Sequence, residues 1–79
     1  MKIAPRIAAI QDISGFGRCS LTVVLPVLST MGSQCCPLLT ASLSAHTAFP
    51  PSDKATFLDL TGQMERTADH WAELGVTFD

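Results

Sequence analysis

Seventy-nine residues, 47% of them hydrophobic and only 15% charged, confine this chain to one small unit and exclude intrinsic disorder. A chain of this size buries only about 60% of the surface it exposes when unfolded, so its apolar content implies a core that expects more partners than the chain carries. The net charge of −2 comes without a basic stripe, which argues against nucleic acid and against an anionic membrane surface as partners.

The first element is the short apolar run Ile7-Ala8-Ala9-Ile10, ending in polar Gln11-Asp12, which suits a buried parallel strand. The "MKIAPRIAAI" start reaches that polar pair without a signal-peptide core, so a soluble cytoplasmic protein is expected. A polar, glycine-bearing loop over 11–19 follows. "SLTVVLPVLSTM" then predicts a helix from about Ser20 to Met31, with Ser20 as N-cap and Gly32 as the stop. Its apolar stretch Leu21 to Leu28 is far below the roughly 20 residues that span a bilayer. Pro26 predicts a kink or a later start.

Residues 35–43, "CCPLLTASL", read as a second strand, with Pro37 at its start or edge. Turn-rich "SAHTAFPPSD" leads to Asp53, the expected N-cap of a second helix running to about Leu74. Phe57, Leu60, Met64, Ala68 and Trp71 form its apolar stripe, Gly75 closes it, and "VTFD" reads as the opening of a third strand. Strand, helix, strand, loop, helix, strand start is the βαβ pattern of an α/β protein with a parallel sheet and right-handed crossovers. A chain stopping as a strand begins is expected to be the front of something longer.

Cys19, Cys35 and Cys36 are odd in number, two are adjacent, and no C-x-x-C occurs. With His46 and His70 at no zinc-ligand spacing, reduced thiols packed as small hydrophobes are expected, and no metal site.

In open parallel sheets ligands bind beyond the carboxyl ends of the strands, an address shared here by the loops 11–19 and 44–52. Gly15 and Gly17 begin a G-x-G-x-x-G pattern, but Ser20 stands in the third glycine's place and no acid follows at the ribose-binding distance. No G-x-x-x-x-G-K-[ST] phosphate loop exists. The two glycines allow backbone amides to approach a ligand, or make a tight turn. Asp12 and Ser14 can bond a ligand or loop amides; Arg18 can clamp a phosphate or stand solvated. His46, Thr47 and Thr40 can face a heteroaromatic ligand or satisfy neighbouring backbone. His70-Trp71 suits helix packing. No complete catalytic set presents itself.

"IQDISGFGRCSLT" with "LLTASLSAHT" about two dozen residues later resembles the N-terminus of bacterial pyridoxal and pyridoxamine kinases of the ribokinase-like superfamily. "FLDLTGQMERTADHWAELGVTFD" is similar to the segment that follows, so the resemblance covers essentially the whole chain. It implies the N-terminal part of a single kinase domain over 1–79, truncated from a ribokinase-like three-layer sandwich. The implied reaction moves the γ-phosphate of ATP to the 5′-hydroxymethyl of a vitamin B6 pyridine, with Mg2+ required and a homodimer expected.

Asp12, Ser14, Gly15, Gly17, Thr40, His46 and Thr47 match substrate-pocket positions of the family. Asp12 departs from the serine of the commoner pyridoxal kinases, which leaves the preferred vitamer open. The G-x-G-D segment with the general base, and the ATP and Mg2+ contacts, belong to a part of the family not represented here. No catalytic residue is therefore expected in these 79, nor activity from them alone. Hydroxymethylpyrimidine (phosphate) kinases share a D-x-S-G-x-G loop and stand as the alternative. A noncatalytic interaction module, which predicts a folded homo-oligomer, is the reading from another class.

Overall fold

In the computed structural model, which describes residues 4–79, two long strands and the helix between them form the centre of a thin slab of 50 × 28 × 12 Å. Strand β1 (Arg6–Phe16), helix α1 (Leu21–Thr30) and strand β2 (Gln34–Ala45) make one βαβ unit. Arg6 lies opposite Gln34 and Phe16 opposite Ala45, in parallel. The expected parallel α/β arrangement is present.

β1 is longer than its apolar run predicts. Asp12, Ser14 and Gly15 belong to the strand, and the loop begins only at Gly17. The polar residues do not end the strand because β2 is itself extended to Ala45 and pairs with β1 to the last residue. Midway the register slips: Gln11 pairs with Leu39 but Ile13 with Ser42. Two residues of β2, Thr40 and Ala41, thus oppose Asp12 alone, the signature of a β-bulge.

Helix α1 starts at Leu21 and runs uninterrupted through Pro26, against the later start that proline suggested. Ser20 holds the N-cap place without a side-chain bond, in a backbone conformation (φ 47°, ψ −123°) that disfavours L side chains. The Thr22 hydroxyl instead closes the turn before the helix, accepting the Cys19 amide (2.9 Å) and donating to the Cys19 carbonyl (2.7 Å). Gly32, at φ 87°, ends the helix as expected, with the Ser33 amide reaching back to the Leu28 carbonyl.

The second half corrects the sequence reading. No helix starts at Asp53; Phe57–Asp59 is instead a short strand, β3, antiparallel to Ala41–Leu43 of β2. The sheet order is β1-β2-β3, and the sheet is mixed. Steps of three and four residues made Phe57 and Leu60 look helical, but the open edge of β2 offers backbone partners there. The Thr56 amide donates to the Ser44 hydroxyl (2.9 Å), and the Ser44 amide donates to the Thr56 carbonyl (3.0 Å).

Helix α2 (Thr61–Glu73) then starts where the Asp59 carboxylate accepts both the amide and the hydroxyl of Thr61, at 2.8 and 2.6 Å. These bonds hold the Asp59 carboxyl below the usual carboxylate range. The stripe that remains on the helix is half-buried Met64, Thr67 and Trp71.

"VTFD" is not a strand. It lies beside the start of β1, with the Asp79 amide donating to the Arg6 carbonyl (2.8 Å) and the Arg6 amide to the Asp79 carboxylate (2.7 Å).

Among the described residues the buried apolar side chains are few: Ala9, Leu21, Leu38 and Ala41. Met31 is 74% exposed, and Phe16 and Phe57 each 67%. No described helix is long and apolar enough to cross a membrane.

Candidate functional site

The carboxyl ends of β1 and β2 come together at one rim. The His46 amide donates to the Phe16 carbonyl (2.8 Å), so the last residue of β1 is tied to the first residue beyond β2. Gly17 makes this closeness possible. A β-carbon there would stand 2.8 Å from His46 Cβ and 3.1 Å from Phe49 Cε2, and φ is 102°, a conformation that glycine alone adopts freely.

Beyond β2 the chain turns at once. The Phe49 amide donates to the His46 carbonyl (3.1 Å), and the Ala48 amide donates to His46 Nδ1 (2.8 Å). Phe49 lands against Phe16, ring centroids 5.2 Å apart, and edge-on to the His46 ring at 6.4 Å. Phe16 and Phe49 carried no signal as site residues, because each reads as an isolated apolar residue in a loop. The dipeptide after Phe49, Pro50-Pro51, was the available hint of a stiff, shaped segment.

This turn and the residues leading to β3 line an open cleft of about 340 Å³. Its walls combine apolar Leu43, Phe49, Pro51 and Phe57 with polar Ser44, His46, Thr47 and Thr56. The size and the mix of flat apolar surface with a few polar groups suit a small aromatic ligand.

The seven sequence-predicted residues divide. His46 and Thr47 line the cavity; Gly17 packs behind His46. Gly15 lies in β1 where an added β-carbon would be 3.1 Å from the Ser44 carbonyl, so its smallness serves strand contact. Ser14 is buried and accepts a long contact from the Cys19 thiol (3.6 Å). Asp12 and Thr40 sit at the bulge, half-buried and away from the cavity wall; the Thr40 carbonyl accepts the Leu60 amide (3.0 Å). The three cysteines are free and half-buried.

Among solved structures the chain is similar to one part of several kinases. It superposes with a TM-score of 0.89 and 53% identity, over 96% of its length, on a candidate phosphomethylpyrimidine kinase from Bacteroides thetaiotaomicron crystallised with pyridoxal. A second crystal form of that protein gives 0.91 and 51% over 99%. The chain is built like one part of a ribokinase-like kinase. Pyridoxal kinase from Lactobacillus plantarum matches with a TM-score of 0.85 and 29% identity over 95% of the chain. The chain spans about a quarter (26%) of each of these kinases. No family model and no curated protein matches it.

The ATP and Mg2+ that such kinases imply do not fit the residues present. Among the described residues no three His, Cys, Asp or Glu side chains gather to hold a metal, and no Lys or Arg lines the 340 Å³ cavity. No phosphate-transfer step is therefore derived from this chain.

Proposed function

We propose that this chain is part of a single ribokinase-like kinase domain that phosphorylates the 5′-hydroxymethyl group of a vitamin B6 pyridine with ATP and Mg2+. Its contribution is substrate recognition: His46 and Thr47 offer polar contacts beside the aromatic and proline wall, with Gly17 allowing the two strand ends to meet. The observation that carries the reading is the 53% identity to a kinase candidate crystallised with pyridoxal. The broad exposure of Phe16, Met31 and Phe57 supports a unit that packs against further protein. The cytoplasmic location and the homodimer expected from the family stand as part of the same proposal.

The second reading, a hydroxymethylpyrimidine (phosphate) kinase, is favoured by the description of that same Bacteroides protein and has equal support from the superpositions. The deciding experiment gives the protein made from its complete reading frame ATP, Mg2+ and, separately, pyridoxal, pyridoxamine and hydroxymethylpyrimidine. Turnover of either B6 vitamer with little on the pyrimidine supports the first reading. Inactivity on both vitamers overturns it.

A further inference from the structure

We propose that the groove between the start of β2 and the end of α2 is a second ligand site, which takes a flat aromatic carboxylate between the Trp71 ring and the Arg6 guanidinium. It is an open groove of about 640 Å³ at the amino ends of β1 and β2. Cys35 at this groove and Ser44 at the cleft lie near opposite ends of β2, about 30 Å apart at the rise of a strand.

The apolar wall is shaped before any ligand arrives. The Val76 amide donates to the Trp71 carbonyl (2.9 Å) and the Gly75 amide to the Ala72 carbonyl (3.1 Å), with Gly75 at φ 75°. The end of α2 thus closes on itself, and two of the carbonyls that would repel an anion there are occupied. Trp71 is half-buried, with the Phe78 ring 5.7 Å from its own. Pro37 and Val76 complete a surface on which an aromatic ring can lie.

The polar part is Arg6. Its Nε donates to Gln34 Oε1 (3.1 Å) and its Nη1 to the Thr77 carbonyl (3.2 Å), which pins a half-buried side chain at two points. Both acceptors are neutral, and Nη2 has no partner among the described hydrogen bonds. The Asp79 carboxylate accepts the Arg6 backbone amide instead (2.7 Å) and is not part of the groove wall. A pinned guanidinium with N–H donors to spare suits a planar anion, whose two oxygens match its fork. A carboxylate attached to an aromatic ring satisfies both walls at once.

The test uses the protein from its complete reading frame and needs no catalytic activity. The Trp71 indole N–H signal, identified as the one missing in Trp71→Phe, is followed by NMR during titration with naphthalene-2-carboxylate and, separately, with neutral naphthalene-2-methanol. A saturable shift is expected with the carboxylate, at a Kd about tenfold or more below that of the alcohol. Arg6→Gln is expected to bring the two affinities together. No shift at Trp71, equal affinities in the wild type, or an undiminished carboxylate preference in Arg6→Gln overturns the proposal. If Arg6→Gln fails to fold, the methyl ester of the acid takes its place, and an ester that binds the wild type as tightly as the acid overturns it. Shifts at the His46 ring in place of Trp71 put the probe in the cleft and overturn it too.

Discussion

Gly17 and His46 approach so closely that a β-carbon on the glycine would stand 2.8 Å from the histidine's own. That contact joins the end of β1 to the first residue beyond β2, and the cavity wall is built from there. Gly17→Ala must therefore push the two strand ends apart as well as place alanine at φ 102°. A loss of about 1–3 kcal/mol is expected. Urea denaturation measures it, and a raised KM with less change in kcat is expected alongside. Wild-type stability in Gly17→Ala would show that the rim accommodates a side chain.

Ser20 presents the opposite case, a side chain where glycine belongs. At φ 47° and ψ −123° its side chain makes no capping bond, so the strained backbone brings no side-chain contact in return. Ser20→Gly is expected to stabilise the protein by about 1 kcal/mol, the relieved strain exceeding the added freedom of the unfolded chain. Ser20→Ala, which keeps the strain, serves as the control and should show no gain. A lower denaturation midpoint for Ser20→Gly would refute this account.

Phe16 and Phe49 meet at 5.2 Å across the same rim. A double-mutant cycle with Phe16→Leu and Phe49→Leu is expected to give a coupling of about 0.5–1.5 kcal/mol. Phe49→Leu should also weaken ring-substrate binding, since Phe49 is part of the cavity wall and Phe16 is not. Equal effects of the two single substitutions on KM would contradict that division.

Asp59 links stability to pH. Its carboxyl is lowered mainly by the Thr61 hydroxyl and then by the Thr61 amide. In the window between the lowered folded pKa and the ordinary unfolded one, the unfolded state binds more protons, so stability rises with pH. The contribution is present above the ordinary carboxylate range and is lost as pH falls through the lowered folded value. Asp59→Asn is expected to flatten this acid-side slope, measured by denaturation from neutral to acidic pH. A slope identical to wild type would remove Asp59 as its source.

Exposure of Phe16, Phe57, Leu58 and Met31 predicts that these 79 residues by themselves unfold without a sharp transition and bind a hydrophobic dye. A cooperative calorimetric transition with no dye binding would favour the small interaction module instead.

Much of the first half was legible in the residues. Ile7–Ile10 and the run after Cys35 are short apolar segments, and Gly32 stops α1 because a helix end needs a positive φ there. The reading failed from 53 to 60. Phe57 and Leu60 fit helical spacing as well as they fit a strand end, and only the free edge of β2 decides between them. It also failed in placing Asp12 and Ser14 in a loop, because strand length depends on a partner far along the chain.

The candidate site divides in the same way. Local chemistry marked Gly17, His46 and Thr47 from spacing and resemblance, since backbone freedom and imidazole hydrogen bonding are properties of the residues themselves. That Phe49 forms the wall, that Gly17 serves His46, and that Asp12 and Thr40 share a bulge are facts of strand pairing. The chain alone determined which chemical groups are present and where its helices stop. Tertiary structure decided which of them meet, because register and loop closure join residues separated by some thirty positions.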